Sequence, residues 1–228
     1  MEIKKLNVSV VVLAMDHNPT ILHPSFLESQ GIVPKDWQLA EPPICTPPLS
    51  VVKYKNGINF SVESRKFQVV QAPPPDKLED SEVPVVAIKY VEKLPYVRYT
   101  AVGINMVALI KDPEPEKTLI NKFLVVEKCS VGGLNLESAS LRLVYPMEKG
   151  RLNLSCEPGT IESEQLKGIV VNANYHTDCP GSNPVQELKE IVFKFPDRCK
   201  HFEKTCLLYT SPSPRDLSTS RMPSSAWK

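Results

Sequence analysis

The chain predicts an α+β fold, a largely antiparallel sheet with two main packing helices, and three observations carry that expectation. Segments of alternating or Val-rich composition, joined by short glycine-containing turns, run through most of the sequence. Two segments, one from Ser81 and one from Asn183, instead space their apolar residues as one face of a helix. Between them, Tyr96 to Ile110 turns apolar on both faces in its second half, which predicts a central strand covered on both sides.

Taken in order, Val8 to Met15 is a buried strand, since the β-branched run is too short, and lacks a small-x-small site, for a secretory leader. A short helix from Pro24 to Gln30 ends at Gly31, and Pro34, Pro42, Pro43, Pro47 and Pro48 then make a long irregular crossing. The hairpin at Lys55-Asn56-Gly57 has two possible registers. A two-residue loop would set Ile58 and Phe60 against lysines, whereas a three-residue loop with left-handed Gly57 pairs Tyr54 with Ile58 and Val52 with Phe60. The second is expected. Val83, Val86, Ala87, Tyr90, Val91 and Leu94 form one helical face, opened by Pro84 and stopped by Pro95.

After a short helix from Glu116 to about Val125 comes a three-stranded meander. Its inward residues are Leu141, Leu143 and Tyr145, then Leu152, Leu154 and Cys156, then Ile169, Val171, Ala173 and Tyr175, in phase if Met147 to Gly150 is a four-residue loop. Arg142, Asn153, Asn172, Asn174 and His176 then share a polar outward face. The last helix starts with an Asn183-Pro184-Val185-Gln186 capping box, is kinked by Pro196 and ends near Lys204.

Three stretches, Ser64-Arg-Lys-Phe-Gln68, Tyr99-Thr-Ala-Val-Gly-Ile-Asn105 and Val171-Asn-Ala-Asn-Tyr-His176, carry a resemblance. In these the chain resembles a sporadically distributed family of uncharacterised prokaryotic α+β proteins found near mobile and phage-related genes. The resemblance implies a fold and a setting, and no catalytic residue; the Pro-rich segments and Pro196 depart from the family's pattern. Residues 1–205 read as a single domain, with two related halves, 1–111 and 112–205, suggested by the order of elements. Cys206-Leu-Leu-Tyr-Thr-Ser-Pro-Ser-Pro-Arg-Asp216 and Ser220-Arg-Met-Pro-Ser-Ser-Ala226 back-translate in one frame to a sequencing-library adapter. Residues 206–228 are therefore expected to be a non-native, disordered tail, with the reading frame broken after Thr205.

Setting those residues aside moves the formal net charge from +1 to −1, with Lys and Arg scattered, so no basic stripe points to nucleic acid. Cys45, Cys129, Cys156, Cys179 and Cys199 are odd in number and contain no CxxC pair, which argues against a disulfide framework or structural zinc and for a reducing, cytoplasmic setting. No segment has the length of a membrane span.

The candidate chemistry is sparse. His176, Asp178 and Cys179 could be a thiol nucleophile with its base, although strand neighbours point to opposite faces. Asp16, His17 and His23 include metal-ligand types without a completing residue, so neither metal nor cofactor is expected. No GxGxxG, Walker or GxSxG pattern occurs. Gly103, inside an apolar strand, marks close approach, most simply of a helix packing over it. The favoured function is a non-catalytic interaction protein that binds a protein partner or a second copy through Trp37, Leu39, Ile44 and Leu49 of the Pro-rich crossing. The alternative is a small hydrolase-like enzyme with His176, Asn174, Arg142 and Asn153 on the polar sheet face.

Overall fold

In the computed structural model, which describes residues 2–126, 129 and 131–210 with side chains to residue 206, the chain forms an α+β fold around one antiparallel sheet. The strands are β1 (Ile3–Ala14), β2 (Ile44–Cys45), β3 (Leu49–Lys53), β4 (Ile58–Glu63), β5 (Lys66–Gln71), β6 (Tyr99–Lys111), β7 (Leu141–Pro146), β8 (Arg151–Ile161) and β9 (Leu166–Asp178). Helices α1 (Pro24–Ser29), α2 (Val83–Lys93), α3 (Pro115–Phe123), α4 (Pro184–Val192) and α5 (Phe195–Thr210) connect or follow them. The spatial order of the nine strands is β2-β3-β4-β5-β1-β6-β9-β8-β7.

The hairpin takes the three-residue register. Gly57 has φ +84°, Tyr54 N–H donates to the Ile58 carbonyl at 2.9 Å, and Val52 lies opposite Phe60. The β7–β8 turn closes with Met147 N–H donating to the Gly150 carbonyl at 3.1 Å, and Gly150 has φ +101°. These turns keep each meander in phase, so the register carries one row of apolar residues through eight strands. Val52, Phe60, Val69, Val10, Ile104, Tyr175, Leu152 and Tyr145 follow one another in it.

That row and its parallels meet the helices in a single core. Val83, Ala87 and Tyr90 of α2, Leu119 of α3, Leu188 and Val192 of α4, and Phe195, Cys199 and Phe202 of α5 join it. Tyr90 stacks on Phe67 with ring centroids 3.9 Å apart, and Phe60, Tyr54 and Trp37 extend the aromatic line to the sheet's β2 end. Such pairs each add about 0.5–1.5 kcal/mol beyond the burial of their area.

Several expectations change. β6 is central and its second face is covered in part, since Ala101 and Leu109 are buried there outside the helix-bearing core while Asn105 and Val107 stay half-exposed. Pro196 does more than kink the last helix. The chain breaks at Phe193 and Lys194, and Pro196 sits at the second position of a new helix, where its missing N–H costs nothing. Asn183 accepts from the Gln186 N–H at 3.2 Å, but Gln186 turns its amide to Glu190, so the capping box is half formed. Tyr145 takes the expected inward register opposite Leu152, but on the edge strand it is 46% exposed. α5 passes the expected limit at Thr205, running to Thr210 with Cys206 buried in the core. The rest of the expected disordered tail, 211–228, lies outside the described residues. Among the described residues, no helix is long and apolar enough to cross a membrane.

A Cβ on residue 150 would lie 2.0 Å from the His176 carbonyl oxygen, in a left-handed conformation besides. Gly150→Ala should therefore destabilise the fold by about 2–3 kcal/mol, read as a lower midpoint in urea denaturation at unchanged slope.

Candidate functional site

One residue away from the apolar row lies its counterpart on the opposite face, which reads Lys53, Asn59, Val70, Ser9, Asn105, Asn174, Asn153 and Val144. Alternation along each strand puts these side chains on the side away from the helices. At its centre three asparagines and a serine link four strands. Asn153 donates to the Asn174 carbonyl oxygen at 3.0 Å, Asn174 donates to Asn105, and Asn105 donates to the Ser9 hydroxyl at 3.3 Å. Each amide keeps a second N–H and a second lone pair for a further partner.

Gly103, in the next row of β6, belongs to this face. A Cβ there would come 2.9 Å from the Asn174 amide nitrogen, so it is the leaning asparagine, and not a helix, that occupies the space. Sequence reasoning noticed Gly103 with Asn105 but missed Ser9, whose polar position inside the Val-rich strand was the available sign.

The enzyme set divides. Asn174 and Asn153 meet, whereas Arg142 lies opposite Ser155, one row away on the edge strand, and is exposed. His176 lies opposite Arg151 and Gly103, and its Nε2 is 3.2 Å from Asp178 Oδ1, a carboxylate 72% exposed. Cys179 is elsewhere. Its thiol is in the core on the helix side, and burial, then Glu187 and Asp178, push it up to about 11. A protonated thiol on the opposite face cannot exchange a proton with His176.

The interaction set divides too. Trp37 packs edge-on against Tyr54 at 5.2 Å and Leu39 bridges to the same residue, so both serve the fold. The crossing is tied to the sheet further on, where Ala40 N–H donates to the Lys53 carbonyl and Ile44 pairs with Val51. Ile44, 46% exposed, and half-buried Leu49 and Val51 then form an apolar group at the β2 end of the uncovered face. Of the metal-ligand types, His23 Nδ1 accepts from the Phe26 N–H at 3.1 Å to cap α1. His17 is buried near Tyr99, and burial lowers its pKa.

No family model matches the chain, and the search of curated proteins gives no significant match.

Burial pushes the Cys199 and Cys206 thiols up to about 12, so both, like Cys179, are protonated below pH 9, while Cys45 is exposed. Iodoacetamide on the native protein at pH 8 should alkylate Cys45 and leave Cys179, Cys199 and Cys206 unmodified until denaturant is added, as read by peptide mass spectrometry. A buried neutral thiol stabilises below its unfolded pKa of about 8.5, and that contribution is lost as pH rises toward 12.

Proposed function

We propose that the protein acts without catalysis, as an α+β scaffold that receives another polypeptide on its uncovered sheet face. The observation that carries this reading is the one-sided placement of the helices. Among the described residues one face of the sheet carries no helix, with an apolar group of Ile44, Leu49 and Val51 at one end and amides with further hydrogen-bonding capacity in the middle. Exposed sheet surface with partly exposed β-branched and amide side chains suits contact with a polypeptide better than with a polyanion. Charges of both signs support that choice, since Lys53, Lys66, Arg142 and Arg151 are interspersed on this face with Glu63, Glu157 and Asp178. The partner is a different protein or a second copy of the chain. The hydrolase-like alternative keeps the His176–Asp178 contact but has no thiol beside it.

Three finer readings accompany the proposal. The division into two related halves is kept as a proposal with its divide moved from 111/112 to ahead of β6, so that each half is a strand, a short helix, a meander that returns beside that strand, and a closing helix. A cytoplasmic setting is supported by cysteines that are all free among the described residues. The likeness to mobile-element-associated prokaryotic proteins rests on the three stretches that supply the hairpin and the β6 and β9 strands.

Photo-crosslinking tests the reading. Benzoylphenylalanine at Gln68, on the uncovered face, should give a discrete adduct to another polypeptide or to a second copy in native cells. The same group at Lys93, at the end of α2, should give none. Equal or absent adducts at both positions would contradict the proposal.

A further inference from the structure

The two edges of the sheet differ in how they are guarded. β2 is two residues long and stands between Pro42-Pro43 and Pro47-Pro48, which have no N–H to offer a further strand. β7 is six residues long, and among the described residues no strand lies beyond it. Its proline, Pro146, comes last, and its pairing with β8 runs without a register shift. Val144 and Tyr145 are large apolar residues 55% and 46% exposed on it. A regular apolar edge of this kind is a template for another strand.

The direction of the free backbone groups follows from the ladder. Met147 N–H donates to the Gly150 carbonyl across the β7–β8 turn, so alternation points the N–H and C=O of Leu141, Leu143 and Tyr145 at β8. Those of Arg142 and Val144 point away from the sheet. An added antiparallel strand must match that parity and keep its apolar residues on the helix side. β7 of a second copy does both in a register centred on Leu143. Arg142 of each copy then exchanges both N–H···O bonds with Val144 of the other, Leu143 meets its own counterpart, and Leu141 covers exposed Tyr145. A centre at Arg142 would set two guanidinium groups directly opposite, and a centre at Val144 would put Pro146, which has no N–H, against Arg142. Carried outward, the Leu143 register places exposed Glu137 of each copy opposite exposed Lys149 of the other, so the charges at both ends are complementary.

We propose that the chain pairs with a second copy of itself through β7, antiparallel and centred on Leu143. Two nine-stranded sheets become one, with the helices of both copies on the same side. The edge and the uncovered face are distinct surfaces, so this dimer stands without the polypeptide contact proposed for that face and leaves the face free.

Sedimentation velocity and cysteine cross-linking of the full chain test it. The mass should rise from one chain toward two between about 1 μM and about 1 mM, the range of a small interface. Val144→Pro removes an outward N–H that makes no bond to β8, so it should keep the urea midpoint measured at low concentration and remain a monomer. With Cys45 and Cys129 replaced by serine, Leu143→Cys should form an intermolecular disulfide on mild oxidation, because residues opposite at a non-hydrogen-bonded position lie about 4.5 Å apart. Arg142→Cys, out of line with its counterpart, should form none. The cross-link decides the matter independently if Val144→Pro does not fold. The proposal is overturned by a monomer at every concentration, by a dimer that Val144→Pro leaves intact, or by Leu143→Cys cross-linking no faster than Arg142→Cys. A dimer that survives Val144→Pro would use another surface, and photo-crosslinking at Gln68 would still judge the open face.

Discussion

The antiparallel pairing of β1 with β6 is the contact on which the rest of this structure depends. Its register joins Val8 to Met106, Val10 to Ile104 and Val12 to Val102, residues far apart in the chain. Each of the two strands carries a meander on its outer side, β5-β4-β3 beside β1 and β9-β8-β7 beside β6. Without this pair there would be two half-sheets with exposed apolar edges. All six of these side chains are fully buried, and at about 1.5–3 kcal/mol for each large apolar side chain the pair is a major share of the driving force. Bulges between Lys5 and Asn7 and between Leu13 and Ala14 confine the regular ladder to the middle of the strands.

Because side chains alternate along that pair, one pairing register generates two surfaces of opposite character. On one side Val10 and Ile104 continue into Val69 and Tyr175 and are sealed by α2, α4 and α5. On the other, Ser9 and Asn105 continue into Asn174 and Asn153, where hydrogen bonds across strands take the place of a covering layer. The proposed polypeptide contact belongs to the open face of this division.

Much of this was legible in the sequence wherever a local constraint decided it. The hairpin register followed from the cost of setting Ile58 and Phe60 against lysines, the meander phase from Gly150, and the start of α4 from Asn183 before Pro184. What escaped depends on partners distant in the chain. The second half of β6 read as covered on both faces, and Leu109 is buried on the side without helices, beside Gly168 of the adjacent strand, whereas Val107 on that side stays half-exposed. Trp37 and Leu39 looked like free anchors because nothing nearby in sequence shows that Tyr54 will meet them. Arg198 and His201 carry no motif. Their relation to Tyr175 exists only once α5 lies over β9, and the break before Pro196 sets where α5 begins.

A pair of adjacent substitutions tests the one-sided sheet most directly. Val10 is fully buried under the helices and Val11, opposite Gly103 and Gln68, points to the uncovered face. Val10→Arg should lose several kcal/mol or fail to fold, because a charge would enter the core unpaired, while Val11→Arg should change the unfolding free energy by less than about 1 kcal/mol. Equilibrium urea denaturation of the two variants decides it. Comparable, severe destabilisation by both would mean that the second face is also covered, and would contradict the account.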